Sequence, residues 1–235
     1  MENIDMGFSN QLEPFAQLIR EHLLPMDGVT RIPQCRRFTV LYSAGNLADS
    51  VFFLDSGLVK IIKRGDENRE VLLTLVRSGE VFGEDALLLG GQRRSTAEVL
   101  QEATVSIIPK EQFARFCARK PEIWPMLAEL LARREMNLEH KIELLLMKDV
   151  EQRILLYLAE LAEAVGVAQE GGHAVQFSQG EIASLVGATR ETTSSTLNAL
   201  ARRGLVTLGR RRMLVADPDL LRQVAEAPKV QAAGS

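Results

Sequence analysis

The chain has 235 residues, a formal net charge of −3 at neutral pH, 46% hydrophobic residues and two cysteines. This length allows two domains, each with its own core. Cys35 and Cys117 lie far apart in sequence, which argues against a disulfide framework, an iron–sulfur cluster or a structural zinc site. No apolar run approaches the roughly 20 residues that cross a bilayer, and the N-terminus lacks signal-peptide features, so we expect a cytoplasmic protein with no membrane partner.

The N-terminal half is predicted to begin with a helix and to continue as a β domain. Apolar residues follow helical spacing over residues 8–24, and Pro25 ends the pattern. From residue 36 to 109 the sequence consists of short runs typical of strands, which predicts a barrel or roll. The predicted strands are 37–42, 51–54, 58–62, 71–76, 97–100 and 104–108, with turns at Gly45, Gly57, Gly65 and Gly79.

A long helix is predicted next. A helical region begins between Phe113 and Cys117, is interrupted at Pro121 and Pro125, and then runs to about Met147. Its apolar residues form a stripe with seven-residue spacing, which is typical of a coiled coil. Such a stripe packs either on its own domain or against a second copy of the chain, and its place between two domains favours a dimer. The stripe consists of Trp124, Leu131, Leu138 and Leu145, with Ile142 beside them.

The sequence predicts a domain boundary directly after this helix. Asp149 and Gln152 have the spacing of a capping box, so a new helix is expected from Val150 to about Val165. We therefore predict a β domain over residues 1–120, a long helix over 121–148 and a second domain over 149–235.

The segment 178–192 is typical of two short helices joined by a glycine turn. Ser178 and Glu181 form a capping box at the start of the first helix, and Gly187 has the backbone freedom that the turn needs. Thr189 is expected to start the second helix. This helix-turn-helix pattern is one that reads DNA.

The outer face of the second helix is polar and suited to base edges. Arg190 can contact guanine O6 and N7, and Glu191 can accept a hydrogen bond from cytosine N4. Residues 190–212 contain six arginines and one acid, which indicates a phosphate-binding surface, although a charged stretch alone is also typical of a solvated face. A β-wing, 206–208 and 213–215, followed by a frayed tail, is predicted next. The candidate DNA-binding residues are Arg190, Glu191, Ser194, Ser195, Asn198 and Arg210.

A second candidate site lies within the predicted β domain. Gly83 lets a ligand approach the backbone, and a short helix opening at Glu84 offers free amides to an anion. Arg94 can neutralise a phosphate, Ser95 can donate a hydroxyl hydrogen bond, and Glu84 can accept one from a ribose hydroxyl. A surface turn with a salt bridge would contain the same residue types.

Over roughly residues 10–220 the chain resembles the catabolite-activator/fumarate–nitrate regulator (Crp/Fnr) family of bacterial transcription factors. The resemblance lies in the roll with Gly45 and Gly57, the long helix, the winged reader with Thr189-Arg190-Glu191-Thr192, and the segments Phe82-Gly83-Glu84 and Arg94-Ser95-Thr96-Ala97. It implies an α+β fold: an N-terminal effector-binding domain (1–120) that is a cyclic-nucleotide-binding-like β-roll (jelly roll), a long dimerisation helix (121–148) and a C-terminal DNA-binding domain (149–235) that is a winged helix-turn-helix.

The resemblance also implies function. A cyclic nucleotide or similar effector bound in each roll of a homodimer would change how the two readers meet palindromic double-stranded DNA, with RNA polymerase as a further partner. In this comparison Gly83 and Glu84 match the residues of cyclic-AMP-binding members that contact the ribose and the phosphate. Arg94 matches the arginine that pairs with the phosphate, and Ser95 matches the hydroxyl residue next to that arginine.

Two departures from the family pattern affect specificity. Leu138 and Glu139 stand where cyclic-AMP-binding members carry a Thr-Ser pair that holds the adenine, and Leu138 offers no hydrogen bond. Arg134 and Glu139 are therefore candidates to meet a different effector, since sister branches sense an organic acid or a cyclic dinucleotide. Ser195 stands where the family usually has an arginine, which predicts a different or looser half-site.

Three interpretations therefore follow from the sequence. The main one is an effector-gated regulator whose effector site contains Gly83, Glu84, Arg94, Ser95, Arg134 and Glu139. The second is a constitutive regulator with a vestigial pocket. The third is an enzyme that uses the roll, but the sequence has no catalytic constellation, and the absence of histidines from the predicted roll argues against haem and against a metal-dependent oxygenase. We therefore expect no enzyme activity and no bound metal.

Overall fold

The computed structural model describes residues 13–65 and 70–227, which form two compact units divided between Leu138 and Glu139. Residues 8–12 of the first predicted helix lie outside this range. The elements of the first unit, up to the helix that crosses the division, are α1 (Glu13–His22), β1 (Thr30–Cys35), β2 (Val40–Tyr42), β3 (Ser50–Arg64), β4 (Glu70–Arg77), β5 (Val81–Phe82), α2 (Asp85–Leu88), β6 (Thr96–Pro109), α3 (Lys110–Arg119) and α4 (Ile123–Met147).

Two long antiparallel strands, β3 and β6, form the centre of the predicted roll. The sheet has the order β1-β6-β3-β4, with β2 also paired to β6 and β5 to β3. Each central strand joins two runs that the sequence predicts as separate strands. The predicted turn at Gly57 is instead a bulge in β3, because the register against β6 shifts there while the strand continues.

The first strand, β1, lies before the predicted β region, which begins at residue 36, and it contains Pro33. Its position at the end of the sheet order explains why the proline is tolerated, since an edge strand has one side with no ladder to maintain. The register against β6 also shifts between Ile32 and Cys35, around this proline. The sequence pattern therefore missed an edge strand, not a central one.

Aromatic side chains fill the core on both sides of β3. Phe53 packs into a buried cluster with α1, α3 and the start of α4, where Phe15 and Phe113 are fully buried. On the other side Phe52 stacks on Phe82 with 5.2 Å between ring centroids, and Tyr42 lies 5.3 Å from Phe52. This second cluster lies behind the candidate effector site.

The long helix α4 is continuous for 25 residues and ends at Met147 as predicted. The predicted interruption at Pro125 is wrong. Pro125 lies in the first turn of α4, where backbone N–H groups have no partner within the helix, so a missing N–H costs nothing. Only Pro121 interrupts the helical region.

The second unit contains the predicted winged helix-turn-helix. Its helices and strands are α5 (Val150–Val165), β7 (Val167–Gln169), β8 (Gly172–Val175), α6 (Gln179–Val186), α7 (Arg190–Arg202), β9 (Val206–Gly209), β10 (Arg212–Val215) and α8 (Pro218–Glu226), and its sheet has the order β7-β8-β10-β9. Both predicted capping boxes are present, at Asp149 with Gln152 and at Ser178 with Glu181. The predicted fraying at 233–235 lies outside the described residues.

The sequence analysis missed the short hairpin β7–β8 and the helix α8. All three residues of β7 are exposed, so they lack the alternation that marks a strand. For α8 a start signal was present, since Asp217 caps the helix and Pro218 occupies its first position. Among the described helices, none has both the length and the apolar character that a bilayer crossing requires.

Candidate effector and DNA-binding sites

The turn between β5 and α2 forms one wall of the candidate effector site. Gly83 has a φ of +72°, and a Cβ at this position would lie 2.8 Å from Nη1 of Arg93, so the turn requires glycine. The helix that follows is one turn long, and Glu84 directly precedes it. The predicted short helix is therefore present, with Glu84 at its entrance.

Glu84 forms an ion pair with Arg134 of α4. Arg134 donates from Nη1 to Oε1 of Glu84 at 2.7 Å and from Nη2 to the carbonyl oxygen of Val81, also at 2.7 Å. Its Nη2 lies 3.3 Å from a carboxylate oxygen of Glu80. Burial lowers the pKa of Arg134, but the carboxylates of Glu84 and Glu80 more than offset this, so the pKa is raised and the guanidinium stays charged. The structure thus brings together Gly83, Glu84 and Arg134 of the predicted set.

The other predicted effector residues are placed differently. Arg94 is exposed and has no ion pair or hydrogen bond within the described ranges, while a hydrogen bond joins the hydroxyls of half-buried Ser95 and buried Tyr42. Burial raises the pKa of Tyr42 to about 12, so its hydroxyl stays protonated. Glu139 is exposed and lies five residues after Arg134, which is roughly 140° around a helix, so it points from another face of α4.

Sequence reasoning missed Arg93, which is a buried member of this site. Its guanidinium donates to the carbonyl oxygens of Gly83 and Ser50 and pairs with the carboxylate of Asp85. The signal in the sequence was the pair Arg93-Arg94, because neighbouring residues in extended chain point to opposite sides. One member of such a pair, next to a strand of a roll, is expected to point inward.

The second site is the helix-turn-helix of α6 and α7. Gly187 has the left-handed backbone that ends α6, with a φ of +67°, and a Cβ there would lie 2.9 Å from Cδ2 of Leu145. Thr189 caps α7 by accepting a hydrogen bond from the amide of Thr192 at 3.1 Å. Leu197 and Leu200 are fully buried and fix the orientation of α7. The predicted turn and helix start are confirmed.

The predicted DNA-contacting residues of α7 lie on its outer side. Arg190, Glu191, Ser195 and Asn198 are exposed, and Ser194 is half-buried. The side-chain amide of Asn198 donates to the carbonyl oxygen of Ser194 at 2.9 Å, so it is held against its own helix in the free protein. Arg210 is exposed beside the wing tip, between β9 and β10.

One buried residue of α7 predicts a change in stability. Thr193 is 0% exposed, and its hydroxyl has no hydrogen-bond partner among the described residues. Valine has the same shape without the hydroxyl, so Thr193→Val is expected to raise the free energy of unfolding of this unit by about 1 kcal/mol.

Urea denaturation followed by circular dichroism measures this effect. Thr196→Val is the matched control, because the hydroxyl of Thr196 donates to the carbonyl oxygen of Thr192 at 2.9 Å. Its replacement is expected to give no gain. Equal effects for the two variants would contradict the interpretation.

Comparison with known proteins identifies two domains in this chain. Residues 34–120 match the cyclic nucleotide-binding domain model, and residues 152–224 match the Crp-like helix-turn-helix domain. The CRP-like cAMP-activated global transcriptional regulator of Mycobacterium tuberculosis is 32% identical over 183 residues, which cover 77% of this chain and 82% of that protein. The cyclic AMP receptor protein of Thermus thermophilus is 30% identical, over 79% of this chain and 83% of its own length.

A solved structure is also similar to this chain over most of its length. A CRP-family transcriptional regulator from Thermus thermophilus superposes with a TM-score of 0.75 at 29% identity, covering 83% of this chain and 97% of that one. A cyclic nucleotide-binding domain joined to a DNA-binding helix-turn-helix defines a class of transcription regulator. The chain belongs to the CRP/FNR family of transcription regulators.

Proposed function

We propose that this chain is an effector-gated homodimer that binds palindromic DNA through α7 and its counterpart in the second copy. The observation that carries the proposal is the ion pair between Glu84 and Arg134, because it links the effector site directly to the long helix. A ligand that contacts Glu84 therefore alters the interactions of α4. The proposal includes a cytoplasmic location, RNA polymerase as a partner and no enzyme activity.

Exposed apolar residues on α4 support the dimer. Four of the five predicted stripe residues are exposed: Trp124 43%, Leu138 41%, Ile142 57% and Leu145 40%. Leu138, Ile142 and Leu145 are spaced by four and three residues, which places them on one face of the helix. The fifth, Leu131, packs partly against the core of its own unit. A second copy of α4 would cover the exposed face and bring two DNA-reading helices under one symmetry axis, with half-sites about 34–36 Å apart.

The charges of the site support an anionic effector with a hydroxyl group. Glu84 is acceptor-only and already charge-balanced by Arg134, whereas Arg94 is exposed with no ion partner in the described ranges. A cyclic nucleotide offers a phosphate for Arg94 and a ribose hydroxyl for Glu84. Relatives named as cAMP-activated support this class. Leu138 offers no hydrogen bond to an adenine, so an organic acid or a cyclic dinucleotide stays a candidate.

The same ion pair favours a second candidate function. Because Arg134 satisfies Glu84 without a ligand, the protein can also be a constitutive DNA-binding regulator whose pocket is vestigial. The two candidates differ in energetics. An effector that moves the dimer from 1:99 to 99:1 in favour of the DNA-binding state must prefer that state by about 5.5 kcal/mol, whereas a vestigial pocket has no such preference.

A titration of the purified protein with cyclic AMP, cyclic GMP, a cyclic dinucleotide and 2-oxoglutarate separates the candidates. At a hundredfold excess over its Kd, a true effector is expected to raise the free energy of unfolding by about 2.7 kcal/mol and to change operator affinity. For a phosphorylated effector, Arg94→Ala is expected to abolish both responses.

The outcomes that contradict the proposal are specific. No response to any ligand, together with full operator binding, would favour the constitutive regulator. An unchanged response in Arg94→Ala would mean that the anion site is misplaced. A monomeric mass of the wild-type protein in sedimentation at working concentrations would remove the dimer from the proposal.

A further inference from the structure

The two adjacent arginines in the effector site have opposite environments. The side chain of Arg93 is 1% exposed, whereas Arg94 is exposed. Arg93 pairs with Asp85 at 2.7 Å, whereas Arg94 has no charged partner among the described residues. Both side chains have the same charge and the same guanidinium fork, so the difference comes from where the backbone directs them.

Arg93 joins four separate parts of the site. Its Nη1 donates to the carbonyl oxygen of Gly83 at 2.8 Å and to Oδ1 of Asp85 at 2.7 Å, which fixes the turn and the first residue of α2. Its Nη2 donates to the carbonyl oxygen of Ser50 at the start of β3. Its guanidinium also lies over the ring of Tyr42, 4.4 Å from the centroid.

The backbone of Arg93 adds two further contacts. Its amide donates to the carbonyl oxygen of Asn46 at 2.8 Å, and its carbonyl oxygen accepts from the amide of Gly45 at 2.9 Å. Arg93 is therefore held at both the main chain and the side chain. Tyr42, under its guanidinium, is hydrogen-bonded to Ser95, so the network also reaches the second residue of the predicted anion site.

We propose that Arg93 is the positioning residue of the effector site, which holds Glu84 and Arg94 in place before any ligand binds, while Arg94 contacts the anion. Gly83 is part of the same arrangement, because a Cβ at this position would lie 2.8 Å from Nη1 of Arg93. A planar guanidinium with several donors at fixed angles can hold two carbonyl oxygens and a carboxylate at once, and a lysine ammonium cannot reproduce this geometry.

The inference rests on the proposed function for the role of Arg94, but its structural half can be tested without a ligand. Hydrogen–deuterium exchange of the full-length wild-type protein and of three variants is measured by mass spectrometry over the peptides that cover residues 79–95. Arg93→Lys is expected to raise the exchange rate of the amides of residues 83–90 at least tenfold. Arg94→Lys is the matched control, with the same chemical change at the neighbouring position, and is expected to leave the exchange unchanged.

Asp85→Asn weakens the same contact from the other side, because it keeps the shape of the partner of Arg93 and removes its charge. The test therefore does not depend on whether Arg93→Lys folds. It is expected to raise exchange in the same peptide, by less than Arg93→Lys does, with residues 97–108 as protected as in the wild type. Wild-type exchange over residues 83–90 in a folded Arg93→Lys, or in Asp85→Asn, would overturn the proposal. Equal opening in Arg94→Lys would overturn it as well.

Calorimetric titration with cyclic AMP then tests the ligand half. Both arginine variants are expected to weaken the binding of cyclic AMP at least tenfold. Only Arg93→Lys is expected to combine this loss with faster exchange of the amides of residues 83–90. If the wild type does not bind cyclic AMP, the proposed nucleotide effector fails, and the exchange result still decides the role of Arg93. If it binds and Arg93→Lys binds equally well, Arg93 is not a positioning residue.

Discussion

Arg190→Ala is expected to abolish the preference of the protein for its palindromic operator. Arg190 is exposed at the first position of α7, where the N-terminal residues of a recognition helix meet base edges. A bidentate contact with guanine is worth about 1–3 kcal/mol of discrimination, which a tenfold loss per 1.4 kcal/mol converts to roughly 5- to 150-fold for each half-site. Fluorescence anisotropy with the operator and with a duplex altered at the guanine measures this loss.

Arg202→Ala is the matched control for this experiment. Arg202 is exposed in the last turn of the same helix, where we expect it to contact phosphate and not bases. Its removal is expected to weaken binding to both duplexes equally and to reduce the slope of log affinity against log salt by about 1. Full sequence preference in Arg190→Ala would show that α7 is not the reading helix.

Gly57→Ala is expected to unfold the first unit or to cost it more than about 4 kcal/mol of stability. Gly57 has a φ of +97°, and an added Cβ would lie 2.3 Å from the carbonyl oxygen of Glu102 and 2.6 Å from Cα of Ala103. Both are backbone atoms of β6, the central partner strand, so they cannot move aside without breaking the ladder. Thermal unfolding followed by circular dichroism measures the loss.

Gly45→Ala separates backbone strain from collision. Gly45 has a φ of +89°, but an added Cβ would meet no atom within 4 Å. Only the cost of a positive φ is expected there, about 1–2 kcal/mol. Equal losses for the two variants would mean that the bulge in β3 tolerates a side chain and that the close approach to β6 does not limit the fold.

The contrast between these glycines illustrates which parts of the fold are predictable from sequence. The capping boxes and the turn at Gly187 were predicted correctly because their signals lie within a few residues of each other. Gly57 was predicted to be a turn because a glycine between two β runs has the same local pattern whether the strand ends or bulges. Only the pairing of β3 with β6, which lie far apart in sequence, distinguishes the two cases.

The candidate effector site shows the same limit. Gly83 and Glu84 were predicted from a short motif, whereas Arg134 was predicted only as a candidate to meet an effector, and its hydrogen bond to Glu84 was not predicted. The role of Arg93 had no local signal beyond its charged neighbour, because its partners Ser50 and Tyr42 come from other strands. Whether an arginine points inward depends on the tertiary contacts available to it.

The ion pair between Glu84 and Arg134 also defines two ways in which a hydroxyl of the proposed effector would bind. Arg134 donates to one carboxylate oxygen of Glu84, Oε1, and a carboxylate has about four acceptor sites. A hydroxyl on Oε2 would leave the ion pair intact. A hydroxyl on Oε1 would have to displace Arg134, and its apparent affinity would be the intrinsic affinity multiplied by the fraction of molecules in which the pair is open.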